Sequence, residues 1–291
     1  MNLPKRVTIY ETVLRDGFQG EGPNLIPTQD KIQLANMLSA AGFRFLEVAS
    51  FAHPKWMPQV ADAESVYTGI EKNPGVVYSA LVPNVKAMER AISCNVQEIF
   101  VTASATESHS KANLNASIAE VLKRLEAIAN MGKEHGMRIR GAIATAFGCP
   151  FEGAVEPDAV LDIALAMESF GFNEVVLGDT TGMANPEQTY EISSKLLRCL
   201  DTATLALHFH QAGGIEFANV YAGLKAGVTV FDGSVGGLGG CPNAPGALGN
   251  TSTVKMLEMF ERMGIETGIY KELAFQAGEY AKRLAMAARI A

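Results

Sequence analysis

Two histidines at a spacing of two residues are the clearest candidates for chemistry in this sequence. His208 and His210 end the apolar run TLALHFH. Side chains two positions apart on a strand point to the same face, so the two imidazoles face together. A single histidine at such a place is typical of a structural role, whereas a pair favours a metal or catalytic site. The spacing therefore predicts metal or acid–base chemistry at the end of this strand.

A polar segment near the start of the chain offers a second set of reactive groups. The segment ETVLRDGFQGEG begins at the end of the strand-like run RVTIYE and contains the adjacent pair Arg15 and Asp16. A carboxylate can bind a cation while the neighbouring guanidinium stabilises an oxyanion. A solvated polar loop is the alternative interpretation of these residues. The position of the pair directly after a strand favours a functional site.

A glycine-rich stretch lies late in the chain, between Asp232 and Asn250. Its nineteen residues, DGSVGGLGGCPNAPGALGN, include seven glycines. Because glycine loses much conformational entropy on folding, this composition is unusual for a loop that only stabilises the fold. It predicts either a mobile loop that carries Cys241 over a site or a flexible lid without chemistry. A further acidic residue, Asp179, ends the run EVVLGD and is either catalytic or an ordinary turn residue.

These groups need a scaffold, and the chain alternates regularly between strand-like and helix-like segments. Such alternation is typical of βα units around a parallel sheet. Eight strands, each followed by helix-like sequence, favour an α/β fold of the (β/α)8 TIM-barrel class. The predicted strands cover residues 6–11, 43–50, 76–82, 98–104, 138–146, 174–179, 204–210 and 228–233.

Three helix-like segments carry signals for their own boundaries. They cover residues 28–42, 117–136 and 185–200. Polar residues that can accept hydrogen bonds from free backbone amides stand at their starts, and glycines that tolerate a left-handed backbone stand at two of their ends. The predicted N-caps are Thr28, Ser117 and Asn185, and the predicted C-terminal glycines are Gly42 and Gly136.

The domain organisation follows from the strand count. We expect one TIM-barrel catalytic domain over residues 1–291, with the barrel at about 6–265 and a short C-terminal helical tail at about 269–291. The tail predicts one or two helices. An open doubly wound sheet is the alternative, but the G-x-G-x-x-G motif that usually follows its first strand is missing from the sequence.

Closure of a barrel would bring the candidate groups together. The first strand then lies beside the eighth, and the eighth beside the seventh, so Asp16, the two histidines and Asn250 would converge. One carboxylate, one amide oxygen and two imidazoles, without a thiolate, suit one divalent cation. Mg²⁺ or Mn²⁺ fits best, with Co²⁺ or Zn²⁺ as alternatives. Open coordination positions would let a substrate bind the cation through its own oxygens.

The composition limits the class of protein. The 291 residues are 48% hydrophobic and 19% charged, which supports a large core and excludes a disordered chain. The net charge of −7 predicts that neither nucleic acid nor membrane is a partner. Neither a bilayer-length apolar run nor a leader stands out, which predicts a cytoplasmic protein. The four cysteines have no CxxC spacing, and those other than Cys241 are predicted to be small core residues.

Taken together, these motifs resemble those of the hydroxymethylglutaryl-CoA lyase family of metal-dependent TIM-barrel lyases. The similarity runs from about Thr8 to Gly268. The motif SVGGLGGCP is the most specific, whereas the H-x-H pair alone would be weak. The resemblance rests on Arg15-Asp16-Gly17, SFAHPKWMPQVAD (50–62), PNVKAMERA (83–91), GCPFEG (148–153), LGDTTG (177–182), His208-Phe209-His210 and SVGGLGGCP (234–242).

The resemblance implies an activity and a set of site residues. The family cleaves the carbon–carbon bond of a 3-hydroxy-3-methylglutaryl thioester, giving acetyl-CoA and a 3-oxo acid. The implied metal ligands are Asp16, His208, His210 and Asn250, and the implied catalytic residues are Arg15, His208, Cys241, Asp179 and Glu47. Neither His208 nor Cys241 can be preferred from spacing as the proton donor.

An acyl-CoA substrate requires further contacts. The coenzyme A phosphates need cations, for which lysines after the second to fourth strands are candidates, and a homo-oligomer is expected. The expected substrate contacts are Arg15, Gln19, Val176, Thr180, Lys111 and Asn113, with Lys55 and Lys86 as further candidates for the phosphates.

Four departures from the family pattern concern the substrate. Gln211 stands where an acidic residue usually follows the H-x-H pair, and Val176 replaces a hydroxyl residue before LGD. Asn243 replaces an aromatic after the cysteine–proline pair, and Val254 replaces an acidic residue. Because the polar residues expected around the acyl group are the ones that differ, the substrate is open although the reaction class is not.

Three alternatives to a hydroxymethylglutaryl-CoA lyase are considered. A lyase for a shorter thioester of the citramalyl- or methylmalyl-CoA type would explain the departures. A Claisen-type condensing synthase shares the barrel and the metal site but generally carries a large C-terminal extension, which argues for the lyase. A barrel that binds acyl-CoA without turnover would have little need for Arg15, Cys241 and both histidines.

Overall fold

The computed structural model describes residues 3–55, 57–240 and 248–290. Within them, eight parallel strands close into a barrel in chain order, and the first strand pairs with the eighth. This confirms the predicted (β/α)8 TIM barrel and excludes the open sheet. The strands are β1 (Thr8–Glu11), β2 (Phe45–Ser50), β3 (Val77–Leu81), β4 (Glu98–Ser104), β5 (Arg138–Ala144), β6 (Glu174–Asp179), β7 (Thr204–Phe209) and β8 (Val230–Gly233).

Helices surround the barrel, and each described helix is too short or too polar to cross a membrane. The tail forms one helix, α10 (Lys271–Arg289). A short π-helical turn (Val13–Gly17) follows β1, and 3-10 turns cover Pro58–Val60 and Val235–Gly237. The α-helices in the described residues are α1 (Thr28–Ala40), α2 (Ala63–Gly69), α3 (Val85–Ser93), α4 (Glu107–Leu114), α5 (Ile118–Glu134), α6 (Pro157–Ser169), α7 (Pro186–Cys199), α8 (Ile215–Ala226), α9 (Thr253–Arg262) and α10 (Lys271–Arg289).

The helix boundaries follow the predicted caps with one exception. Ser117 caps α5 in a reciprocal pair with Glu120, and Asn185 accepts a hydrogen bond from the backbone at the start of α7. Thr28 is not an N-cap, because it is already the first residue of α1 and its hydroxyl donates to Asp62 at 2.7 Å. The first backbone amides of α1 therefore receive no side-chain cap from Thr28, and the residue before the helix is Pro27.

Six of the eight strands are shorter than predicted, at one end or at both, and the first strand shows why. Arg6 and Val7 belong to the predicted first strand, but Arg6 forms a bridge with Glu266 and the amide of Val7 donates to the carbonyl of Glu266. Their partner is a loop after α9, so the barrel strand begins only at Thr8. The cysteine prediction was wrong for Cys199, which is exposed at the end of α7.

The barrel interior combines a small apolar cluster with buried charged groups. Arg140 of β5 is fully buried and pairs with Glu174 of β6 and Asp232 of β8. Buried charges are tolerated when they are paired and hydrogen-bonded, as these are. The apolar cluster consists of Leu81, Phe100, Val176, Ala206 and Val230, with Ala142 packed against it.

Candidate metal and catalytic site

Four side chains converge at the C-terminal end of the barrel. β7 pairs with β8 and β8 with β1, which places the turn after β1 beside the end of β7. A bridge between His210 and Asn250 adds the end of the glycine-rich stretch. One ligand atom from each of Asp16, His208 and His210 lies within 4.8 Å of the others. The structure thus brings together the residues that the sequence predicted as metal ligands.

The two imidazoles present nitrogen atoms to each other. His210 donates from Nδ1 to the carbonyl of Leu248 at 2.8 Å, so its Nε2 carries a lone pair. The Nε2 atoms of His208 and His210 are 3.1 Å apart. Two lone pairs at that distance repel each other unless a cation or a proton lies between them. This arrangement suits a divalent metal.

The environment keeps His210 neutral. Burial and the neighbouring His208 lower the pKa of His210 to about 4. A neutral imidazole is the form that binds metal ions. Burial also lowers the pKa of His208, but the hydrogen-bonded Asp232 carboxylate outweighs burial and raises that pKa above its usual value.

Asp16 and Asn250 supply oxygen atoms to the same cluster. The amide nitrogen of Asn250 donates to Asp16 Oδ2 at 2.7 Å and to the carbonyl of Leu238 at 2.9 Å. The amide oxygen Oδ1 of Asn250 is buried without a hydrogen-bond partner among the described residues. Burial favours the protonated form of Asp16, yet Arg15 and the two histidines lower its pKa to about 2. An ionised carboxylate and an unpaired amide oxygen complete a donor set that fits a hard divalent cation.

Arg15 is held rigidly next to this donor set. Its Nε donates to Glu47 Oε1 at 2.7 Å, its Nη1 pairs with Asp16, and its guanidinium carbon lies 5.1 Å from the centre of the Phe100 ring. Burial raises the pKa of Glu47 even though Arg15 opposes that rise. The second carboxylate oxygen of Glu47 is buried without a hydrogen-bond partner in the part of the chain described. The guanidinium is therefore a preorganised positive group beside the cluster of candidate metal ligands.

Asp179 has the turn role that the sequence offered as one of two interpretations, and its second oxygen is unpaired in the described structure. Its Oδ1 accepts hydrogen bonds from the amides of Met183 at 2.8 Å and Ala184 at 3.1 Å, which fixes the turn after β6. Its Oδ2 is buried and has no hydrogen-bond partner within the described ranges. Burial raises the pKa of Asp179 to about 6. One oxygen thus stabilises the turn while the other is available to a ligand.

The other predicted substrate contacts have different surroundings. Gln19 donates to Asp16 Oδ1 at 2.9 Å, next to the ligand cluster. The hydroxyl of Thr180 accepts a hydrogen bond from the amide of Thr145 at 2.9 Å, which links the turns after β5 and β6. Val176 is buried in the apolar cluster inside the barrel. Gln211 donates to the carbonyls of Gly237 and Asn250, so it joins two loops.

The three lysines predicted as phosphate contacts lie on separate elements, and Asn113 shares α4 with one of them. Lys111 and Asn113 are both on α4, where Lys111 is exposed and Asn113 half-buried. Residues two apart on a helix do not share a face, so these two side chains diverge. Lys55 and Lys86 are exposed, after β2 and at the start of α3. Cys241 lies outside the described residues, as does Asn243.

One buried carboxylate at the site was not predicted from the sequence, and another lies outside the barrel wall next to the start of α9. Asp232 of β8 contacts His208, and Glu11 accepts hydrogen bonds from the amides of Val13 and Val235 and from the hydroxyl of Thr253. Burial raises the pKa of Glu11 to about 7. For Asp232 the available signal was an acidic residue on the inward face of an otherwise apolar strand, two positions after Val230 of the interior apolar cluster.

Comparison with known proteins identifies close relatives of this architecture. The chain is 42% identical over 280 residues to hydroxymethylglutaryl-CoA lyase of Bacillus subtilis, covering 96% of this chain and 93% of that protein. It is 41% identical over 279 residues to the 3-hydroxy-3-isohexenylglutaryl-CoA/hydroxymethylglutaryl-CoA lyase of Pseudomonas aeruginosa, with the same coverage.

Solved structures agree with the sequence comparison. The crystal structure of the Bacillus subtilis HMG-CoA lyase has a TM-score of 0.94 and covers 98% of this chain and 96% of that one. An HMG-CoA lyase from Acinetobacter baumannii, solved with coenzyme A and 3-methylmalate, is 36% identical, with a TM-score of 0.93 and coverage of 98% and 93%. The family profile HMGL-like matches residues 6–278. Because this profile and these relatives match nearly the whole chain, the chain belongs to the HMGL-like family.

Proposed function

We propose that this protein is a metal-dependent carbon–carbon lyase that cleaves 3-hydroxy-3-methylglutaryl-CoA into acetyl-CoA and acetoacetate. One observation carries the proposal. The buried amide oxygen of Asn250 has no partner among the described groups, and it belongs to the cluster of Asp16, His208 and His210 beside Arg15. Unpaired buried polar atoms are costly, so a cluster that contains one is suited to a ligand.

The cleavage needs two proton movements and one charge to be stabilised. A base removes the proton of the tertiary hydroxyl, the C2–C3 bond breaks with its electron pair on C2, and an acid protonates C2 to give acetyl-CoA. Arg15 stabilises the negative charge that develops on oxygen, because Glu47 and Asp16 hold its guanidinium in place. The net reaction consumes no proton.

The metal ligands would be Asp16, His208, His210 and Asn250. These residues would hold one divalent cation, which would supply Lewis-acid polarisation of the substrate oxygens. Mg²⁺ or Mn²⁺ is the proposed ion because half of the donors are oxygen atoms, and Co²⁺ or Zn²⁺ is the alternative. Asp16 is ionised and His210 neutral at neutral pH, which are the forms that this role requires.

The assay that tests the proposal is release of acetyl-CoA from hydroxymethylglutaryl-CoA with Mg²⁺ or Mn²⁺, repeated after chelation. A lyase releases acetyl-CoA only with the metal. A condensing synthase would instead consume acetyl-CoA when given a 3-oxo acid or 2-oxo acid, and a barrel without turnover would bind the thioester unchanged. Either of the last two results would reject the proposal.

Cys241 is a second candidate for the proton donor or acceptor. The sequence places Cys241 in a glycine-rich stretch, and a thiol can transfer protons in catalysis. We expect Cys241→Ser to lower kcat at least about 100-fold while KM changes little, which is typical of a lost acid or base. Steady-state kinetics of the variant provide the check, with Cys199→Ser on the exposed end of α7 as the control. A near-normal kcat for Cys241→Ser would show that the thiol is neither the acid nor the base.

Substrate choice is expected to depend on Val176, which lies in the apolar cluster inside the barrel. Val176 packs against Phe100 and Ala206. A polar group of a ligand that finds no hydrogen-bond partner beside such apolar side chains costs about 1–3 kcal/mol. We therefore expect a shorter citramalyl- or methylmalyl-type thioester to be cleaved with a kcat/KM comparable to that of hydroxymethylglutaryl-CoA.

The Val176→Ser variant tests this expectation directly. It should shift the kcat/KM ratio toward the longer acid by about tenfold. The control is Val230→Thr, which adds a hydroxyl to another member of the same apolar cluster. A parent enzyme with more than tenfold preference for hydroxymethylglutaryl-CoA over every shorter analogue would rule out the altered preference.

Three further parts of the proposal await tests of their own. Coenzyme A would bind near the loops after β2, β3 and β4, where Lys55, Lys86, Lys111 and Asn113 lie. A cytoplasmic location and a homo-oligomeric state are proposed from the sequence. Single charge removals at the lysines should raise the KM for the thioester without changing kcat, since they would affect binding alone.

A further inference from the structure

A chain of buried charged groups runs through the barrel to His208. It begins at Glu174 of β6, continues through Arg140 of β5 and Asp232 of β8, and ends at His208 of β7. The first three side chains are almost completely buried. The strands that carry them all surround the same part of the interior, below the metal cluster.

Both carboxylate oxygens of Asp232 accept hydrogen bonds from Arg140, and one of them also faces His208. Arg140 donates from Nη2 to Oδ1 at 2.5 Å and from Nη1 to Oδ2 at 3.2 Å. The same Oδ2 lies 3.1 Å from His208 Nδ1. Since the fork of Arg140 also pairs with Glu174 and lies 3.8 Å from the centre of the Tyr10 ring, the carboxylate of Asp232 has little freedom to move.

A fixed carboxylate next to Nδ1 determines which ring nitrogen of His208 carries the proton. A carboxylate only accepts hydrogen bonds when ionised, so the proton of the neutral imidazole is held on Nδ1. Nε2 then carries the lone pair, and it is this atom that lies 3.1 Å from Nε2 of His210. Carboxylate partners of this kind set the tautomer and the orientation of metal-binding histidines.

We propose that Asp232, held by Arg140, is a positioning residue that fixes the Nδ1-protonated tautomer of His208 and directs its Nε2 into the metal cluster. The inference rests on the metal site of the proposed function. It assigns to the buried ion pair a task other than stability, since a buried pair often stabilises a fold no better than apolar side chains of similar volume.

The informative variant is Asp232→Asn, which preserves size and can reverse the hydrogen bond. Its amide oxygen can still accept from Arg140, while its amide nitrogen would donate to His208 Nδ1 and leave the ring proton on Nε2. We expect the Kd for Mn²⁺ to rise about 10–100-fold, as measured by calorimetry on the folded variant. Nitrogen NMR of His208, followed through a pH titration and read on the plateau where the imidazole is neutral, should show the proton moved from Nδ1 to Nε2.

The matched control is Glu98→Gln, another carboxylate-to-amide change inside the barrel. Glu98 is equally buried, accepts from Tyr10 and from Arg138, and contacts neither Arg140 nor His208 through a hydrogen bond. It should lower the melting temperature to a similar degree while the Kd for Mn²⁺ stays within about threefold of the parent. If Asp232 had only a structural role, Asp232→Asn and Glu98→Gln would have similar Kd values for Mn²⁺.

The parent chain provides a test that does not depend on the folding of any variant. Without metal, and at a pH high enough for the imidazole to be neutral, its His208 resonance, assigned by its loss in His208→Gln, should report a proton on Nδ1 and a lone pair on Nε2. The opposite tautomer, or an unchanged Mn²⁺ affinity in Asp232→Asn, overturns the inference and leaves the lyase proposal intact. If the parent binds no Mn²⁺ at all, the metal site of the proposed function is rejected instead.

Discussion

Replacement of His210 by alanine is expected to remove metal binding and, with it, thioester cleavage. His210 offers a neutral Nε2 to the cluster because its Nδ1 proton is held by the carbonyl of Leu248. Even the outer partners of metal ligands are worth about 10–100-fold in affinity, so loss of a ligand should raise the Kd for Mn²⁺ by at least about 100-fold. Calorimetry with Mn²⁺ measures the affinity, and acetyl-CoA release measures the activity.

The control for this variant is His135→Ala. His135 is exposed at the end of α5, and its ring contacts the carbonyl of Met131, on a helix outside the cluster. Its variant should bind Mn²⁺ and turn over substrate like the parent. Metal-dependent activity that survives in His210→Ala would show that the cation binds elsewhere, and the four-ligand assignment would then be wrong.

The fold could be predicted in detail because a parallel barrel repeats one pattern. Each buried strand needs an apolar run, and each crossover needs an amphipathic helix, so β4 and β6 have the predicted bounds. The errors occur where a tertiary partner replaces the local one. Arg6 pairs with a loop instead of a strand, and Thr28 bonds to Asp62 instead of to its own helix. Neither partner is visible in the local sequence.

The ligand cluster could be predicted because it needs only periodicity and closure. A spacing of two residues puts His208 and His210 on one face, and closure of the barrel adds Asp16. Asp232 and Arg140 were missed because they are 92 positions apart and each has a bland local context. The free oxygen of Asn250 also required coordinates, since it depends on which way its amide is turned by Asp16 and Leu238.

Arg15→Lys should separate catalysis from metal binding. The guanidinium of Arg15 bonds to Glu47 and Asp16 at once, and a lysine, which presents one compact ammonium group, cannot reproduce that fork. Because the developing oxyanion would lose a preorganised donor, we expect kcat to fall about 100- to 1,000-fold. The Kd for Mn²⁺ should change less than about tenfold, since Asp16 keeps its bonds from Gln19 and Asn250.

The matched change is Arg138→Lys, at the opposite end of the same barrel. Arg138 donates to Glu98 at 3.0 Å and is partly exposed, so the same loss of a guanidinium occurs away from the cluster. That variant should keep kcat within about threefold of the parent, as surface ion pairs contribute little. If Arg15→Lys raised KM while kcat stayed normal, Arg15 would bind the ground state and transition state equally. The assignment of oxyanion stabilisation to its guanidinium would then be wrong, because only interactions that strengthen in the transition state change kcat.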